Sequence, residues 1–167
     1  MINLYEYQKR YLANLPSRAI MAADTGTGKT FMALAHYNRM FRAKAPDHMP
    51  QLSRPFMIAP PLLILAPASK VRTGDWEREI DEYFGEQKPE YHIFSYEKFS
   101  RTPTLMQVKK GKRAIWWDYV PSYNGGKQYA IICDEIHRAK NPQSGIGKRV
   151  FLAAQSAKFF VGLSATP

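Results

Sequence analysis

Two short stretches of this chain hold residue types that can do chemistry together. The first reads Ala23-Asp24-Thr25-Gly26-Thr27-Gly28-Lys29-Thr30. Gly26 and Gly28 can take backbone angles that turn successive N–H groups inward, forming a concave nest for anionic oxygens. Lys29 can then reach the outer phosphates of a nucleoside triphosphate, while the Thr30 hydroxyl ligates Mg²⁺. Ala23 stands where the general phosphate-loop pattern has its first glycine, and Gly-Thr-Gly also has a plainer reading as a tight strand-to-helix turn. The second stretch is Asp134-Glu135, directly after the apolar run Ala130-Ile131-Ile132-Cys133. One carboxylate suits holding Mg²⁺ through its water shell, and the other suits orienting an attacking water. By itself an acidic pair at a strand end is commonplace; with Lys29-Thr30 it becomes the second half of one site.

Such residues must be positioned by elements, and the sequence supplies them in alternation. Helical spacing covers residues 4–14, a short apolar run at 19–23 reads as a buried strand, and residues 29–43 suit a helix packed on a sheet. Residues 44–55 read as a loop and 62–66 as an unbroken apolar strand of the kind covered on both faces. A charged helix is predicted over 75–84, a strand over 91–94, a strand over 129–133, a helix over 146–155 and a strand over 159–163. Strands alternating with helices predict an α/β fold with a parallel sheet, and ligands bind such sheets at the carboxyl ends of their strands. Residues 102–127 mix Lys109, Lys110, Lys112 and Arg113 with Trp116, Trp117, Tyr119 and Tyr123. They read either as a basic, aromatic loop over nucleic acid or as a β-hairpin-like insertion with Trp116 packed into the domain.

Composition narrows the classes. The 167 residues fit a single domain, and a hydrophobic fraction of 45% is enough for a real core. The longest apolar stretch, 56–68, is broken by Pro60, Pro61 and Pro67, so no segment reaches the ~18–20 residues of a membrane-spanning helix. Glu6, Gln8, Lys9 and Arg10 stand where a secretory leader would be apolar. The lone Cys133 forms neither an internal disulfide nor a zinc site by itself. The expectation is a soluble, intracellular protein with no membrane partner. The net charge is +10 and unevenly spread: residues 98–167 hold 12 basic and three acidic side chains, against 12 and 11 before them. That asymmetry points to a polyanionic partner.

Further motifs extend the pattern. Asp134-Glu135-Ile136-His137, followed by Arg138-Ala139-Lys140-Asn141, resembles the second motif of superfamily 2 helicases, its basic-Asn extension being most similar to the Swi/Snf-type DNA translocases. Ser164-Ala165-Thr166-Pro167 resembles their third motif, and Leu4-Tyr5-Glu6-Tyr7-Gln8 their adenine-reading glutamine motif. Leu65-Ala66-Pro67-Ala68-Ser69, with Trp76 and Glu79 downstream, is similar to motif Ia, and Ser95-Tyr96-Glu97 to motif Ib. All occur in the family's order. At Asp24-Thr25 and Thr27 the chain departs from the Glu-Met and Leu usual in the Swi/Snf group.

The resemblance implies a RecA-like P-loop NTPase fold, a three-layer sandwich with a mainly parallel central sheet, spanning 1–167 as one ATP-binding lobe. It implies ATP and Mg²⁺ as cofactors. Gln8 would read adenine, and Thr25, Gly26, Thr27, Gly28, Lys29 and Thr30 would cradle the phosphates. Thr30 and Asp134 would hold Mg²⁺, and Lys29, Asp134 and Glu135 would carry out hydrolysis. His137, Ser164 and Thr166 would couple nucleotide state to the track. Ser69, Lys70, Arg72, Ser95 and Tyr96 would touch the phosphodiester backbone of DNA, most fittingly double-stranded. The second RecA-like lobe and its arginine finger lie outside this sequence, and a finger is worth about 10³–10⁵ in kcat; the lobe alone is expected to turn over ATP very slowly. Two other classes, a small P-loop phosphotransferase and a non-catalytic ATP- or DNA-binding module, share the phosphate loop. The first leaves Ser164-Ala165-Thr166 and the basic carboxyl-terminal half without a role. Trp76 reads as core more readily than as a DNA-stacking residue, and Cys133 as an inert buried thiol.

Overall fold

The computed structural model describes residues 4–24, 26–41, 59–101, 105–109, 112–116 and 129–165. In chain order the elements are α1 (Glu6–Ala13), β1 (Arg18–Ala22), α2 (Lys29–Phe41), β2 (Leu62–Ala66), α3 (Ala68–Thr73), α4 (Asp75–Phe84), β3 (Tyr91–Ser95), α5 (Tyr96–Arg101), β4 (Leu105–Lys109), β5 (Lys112–Trp116), β6 (Ala130–Cys133), α6 (Gly145–Ser156) and β7 (Phe159–Ser164). Single 3₁₀ turns lie at Gly85–Gln87 and Ile136–Ala139.

Five strands form one sheet in the order β1-β7-β6-β2-β3, and every adjacent pair is parallel. The sheet is covered on both faces, so its central strands have no polar side. Leu62, Ile64, Ile132, Val161 and Met21 pack with Leu12 of α1, Met32, Leu34 and Tyr37 of α2, and Trp76 and Ile80 of α4. On the other face Leu63, Leu65, Ile131 and Cys133 pack with Tyr96 and Phe99 of α5 and Val150 and Ala153 of α6. Each of the large apolar side chains so buried contributes about 1.5–3 kcal/mol. The expected α/β sandwich with a parallel sheet is thus the fold observed.

Two short helices, α3 and α5, fall where the sequence pattern predicts no helix. Both have six residues, too few to display a periodic apolar face. Gly74, at φ +67°, takes the left-handed conformation that ends α3 and lets α4 start at once, with Asp75 and Glu77 at the positive end of the new helix. The 102–127 region holds an antiparallel hairpin of β4 and β5, in its own two-stranded sheet. The packing of Trp116 and the placement of Trp117, Tyr119 and Tyr123 lie outside what is described.

His36 sits fully buried in α2. Its Nε2 donates to the Pro16 carbonyl at 2.9 Å and its Nδ1 accepts from Arg39 at 3.2 Å, the pattern of a neutral ring. Burial holds its pKa below the ordinary 6.5; the Pro16 bond opposes this and the Arg39 charge adds to it. As the folded pKa is the lowered one, the unfolded chain takes up the proton first. Stability is therefore full above about pH 6.5 and falls as the pH drops below it. We expect the urea midpoint of His36→Gln to fall less between about pH 7 and pH 5 than that of the wild type. Parallel midpoint curves would refute this.

Candidate active site

Because every strand of the main sheet runs the same way, all their carboxyl ends meet one edge. β1 delivers the glycine loop, β7 ends at Ser164, β6 leads into Asp134, β2 leads through Pro67 into α3, and β3 leads into Tyr96. The strands that carry the loop and the acids are not neighbours: β7 lies between β1 and β6, so Ser164 stands between the two halves of the site.

In the loop, Gly26 and Gly28 have φ of +81° and +74°, and a Cβ at Gly26 would meet nothing within 4 Å, leaving an open concavity. Lys29, the first residue of α2, folds its ammonium back onto the carbonyls of Ala23 (2.6 Å) and Asp24 (2.8 Å). Thr27 closes the turn through its hydroxyl on the Asp24 carbonyl. Gln8 is buried and braces the loop: its Nε2 donates to the Thr27 carbonyl at 2.9 Å, while its Oε1 accepts from the Tyr5 N–H at 2.9 Å. Among the described residues, one donor hydrogen and one lone pair of the amide remain for a ligand. Beside it opens a cavity of about 270 Å³ lined by Tyr5, Tyr7, Gln8, Gly26–Gly28, Phe31 and Glu82. The rings of Tyr5 and Tyr7 stack at 5.9 Å. These aromatic walls were not foreseen, although the alternation Tyr5-Glu6-Tyr7 beside Gln8 was the available signal. Thr25 and Thr166 lie outside the described residues.

Asp134 is buried, and its N–H, its carbonyl and Oδ2 are each held. Its N–H donates to Leu65 at 2.7 Å, its carbonyl accepts from the Tyr96 hydroxyl at 2.7 Å, and its Oδ2 accepts from Lys70 Nζ at 2.8 Å and Trp76 Nε1 at 3.1 Å. Burial works to lower the Lys70 pKa, but the Asp134 carboxylate, aided by Glu135 and Glu79, outweighs it and raises it. Glu135 follows at φ +53°, a left-handed conformation that costs a residue with a Cβ about 1–3 kcal/mol and marks an over-determined position. The sharp turn is seated on the sheet by Gly162 of β7, where a Cβ would come within 3.0–3.1 Å of Ile136. Glu135 Oε2 then lies 3.3 Å from His137 Nδ1.

Several residues are placed differently from the expectation. Tyr96, read as a DNA contact, is fully buried, and burial first, then the neighbouring Cys133 and Asp134, pushes its phenol well above the ordinary value. It is withdrawn from the surface and pins the end of β6. Lys70, expected at a phosphodiester, is turned to Asp134, whereas Ser69 and Arg72 are exposed on α3. The Ser95 side chain accepts from the Lys98 N–H and caps α5. Trp76 is core, 1% exposed, yet its indole N–H serves the site. Cys133 is buried, and desolvation raises its thiol pKa, as an inert residue requires.

The loop and the acids are joined through α4. The Glu79 carboxylate has the Thr30 hydroxyl within hydrogen-bonding reach and feels the charges of Lys70 and Asp134; burial pushes its pKa up against the first two of these. Thr30 and Asp134 are hard oxygen donors of the kind Mg²⁺ takes, and among the described residues Glu79 Oε2, beside them, is buried with no hydrogen-bond partner. The residues therefore fit a Mg²⁺–triphosphate group.

The family model ResIII, described as type III restriction enzyme, res subunit, matches residues 1–167. The chain belongs to the ResIII family. No curated protein is a match for it. A ResIII domain is a superfamily 2 helicase-like ATP-binding domain with a RecA-like P-loop core, and the all-parallel sheet agrees with that. Membership implies ATP-dependent, helicase-like hydrolase activity, use of nucleotide with Mg²⁺, and nucleic acid as the partner. Among the described residues no helix of this ResIII domain is long and apolar enough to cross a membrane.

Proposed function

We propose that this ResIII domain is the first lobe, over 1–167, of a motor that couples ATP hydrolysis to movement on double-stranded DNA, closing against a second RecA-like lobe in cis or in trans. The observation that supports it best is the single sheet edge on which the Lys29 loop and the Asp134-Glu135 turn emerge, linked by Thr30, Glu79 and Lys70. The backbone N–H groups of 25–28 and the Lys29 ammonium bind the phosphate chain. Gln8 holds the adenine edge, with Tyr5 and Tyr7 beside it. Thr30 and Asp134 would hold Mg²⁺, which when bound neutralises charge on the phosphates. Glu135 orients the attacking water. His137, Ser164 and Thr166 relay the state of that site towards α3, whose Ser69 and Arg72, with Ser95, contact a phosphodiester backbone. Such contacts position without reading sequence. Lys70 joins them when it leaves Asp134. Within the superfamily, the Arg138-Ala139-Lys140-Asn141 extension favours the Swi/Snf-like branch and hence movement on duplex DNA. Asn141 also has a local task, as its side chain accepts from the Gln143 N–H.

The test is nucleotide binding by the whole chain, followed with a fluorescent ATP analogue and Mg²⁺. Lys29→Ala removes a charge-assisted contact worth about 1.5–3 kcal/mol and should weaken binding about 10–100-fold. Equal affinity of the variant and the wild type would sink the assignment. Phosphate transfer to a small acceptor, with no response of turnover to DNA once the second lobe is supplied, would favour the phosphotransferase instead.

A further inference from the structure

Helix α4 carries Trp76 and Glu79 three residues apart, hence on one face. Trp76 and Lys70 both donate to Oδ2 of Asp134, so among the described residues Oδ1 is the oxygen left for another partner. Glu79 stands across from the Thr30 hydroxyl. A hydroxyl that ligates a cation through its lone pairs must direct its proton elsewhere, and a facing carboxylate gives that proton a place to go. Among the described residues, Glu79 also has a buried oxygen, Oε2, without a hydrogen-bond partner. A buried acceptor of this kind calls for a donor, and water held by a divalent cation is a strong one.

We propose that Glu79 is a positioning residue of the metal site: its carboxylate accepts the Thr30 hydroxyl hydrogen bond, so that the oxygen of Thr30 faces the cation with its lone pairs free. No proton is transferred; the group acts through Thr30, while Trp76, one turn before it, fixes Asp134. One helix thereby sets both oxygens that hold the metal. The inference rests on the nucleotide-site reading above.

Fluorescent ATP titrated into the full chain, once with Mg²⁺ and once with EDTA, separates the two. In the wild type Mg²⁺ should strengthen binding. Glu79→Ala should cut that Mg²⁺-dependent gain about 10-fold, the usual size of an outer-shell effect, and leave the metal-free affinity unchanged. Glu79→Gln, which keeps an acceptor, should restore most of the gain. On a Thr30→Val background, Glu79→Ala should add nothing, because its effect passes through the missing hydroxyl. A full Mg²⁺-dependent gain in Glu79→Ala, or independent losses in the double variant, would overturn the positioning role while leaving the nucleotide site standing. Wild-type binding that ignores Mg²⁺ and survives Lys29→Ala would overturn both.

Discussion

Gly147→Ala should destabilise the domain by about 3 kcal/mol, the upper end of the cost of overpacking. Gly147 lies in the first turn of α6, where its N–H donates to the N-cap Ser144 side chain at 2.9 Å. A methyl there would fall 2.0 Å from the Asn141 carbonyl oxygen, 2.8 Å from its carbon and 3.1 Å from the Ala139 oxygen. All three are backbone atoms, so no side-chain rotation relieves the clash. Helix propensity alone would favour alanine by about 1 kcal/mol. Sterics win because the helix start must move off the very segment that carries the chain out of the Asp134-Glu135 turn. Gly145→Ala, two residues earlier with nothing within 4 Å, is the control and should be neutral or mildly stabilising. Urea unfolding of the two variants decides the matter. Equal stability would mean that α6 does not sit this close to the 139–141 backbone.

Glu135→Gln should keep ATP binding near the wild-type level and lower turnover about 10²–10⁴-fold, the usual worth of a positioned general base. The reason lies in the backbone. At φ +53° the residue is strained, and the turn is held by Asp134 behind it and by Ile136 seated over Gly162 ahead of it. Glutamine has the same shape, so it inherits the same turn and loses only the charge. Among the described residues the ion-pair partner of this side chain is His137, and Lys29 and Thr30 have other partners, so binding should be spared. ATPase assays with the second lobe supplied, alongside the binding titration, check both halves. Unchanged turnover would remove Glu135 from the chemistry; lost binding would make it a structural residue of the cleft.

The long apolar strands and the glycine loop were readable because each is dictated locally. Leu62–Ala66 has no polar residue to expose, and Gly26 and Gly28 sit where positive φ is needed. What escaped the sequence depends on partners far along the chain. Tyr96 looks like a polar-tipped residue after a strand, and only the approach of β6 from 38 residues away buries it beneath Asp134. Trp76 was readable as core from its place on α4, but its bond to Asp134 spans 58 residues. The order β1-β7-β6 was hidden for the same reason: chain order does not say which strand inserts between two others. Helices of six residues such as α3 give too little pattern to be seen, yet α3 brings Lys70 to Asp134.

Lys29 rests on two carbonyls of its own loop, and Lys70 rests on Asp134. Each ammonium thus already has an acceptor within the fold, and an arriving ligand swaps partners instead of meeting bare charge. Its grip is then a difference between two good arrangements, which makes for shallow binding and quick exchange. The motor proposed above, which must release its product at every cycle, needs that property.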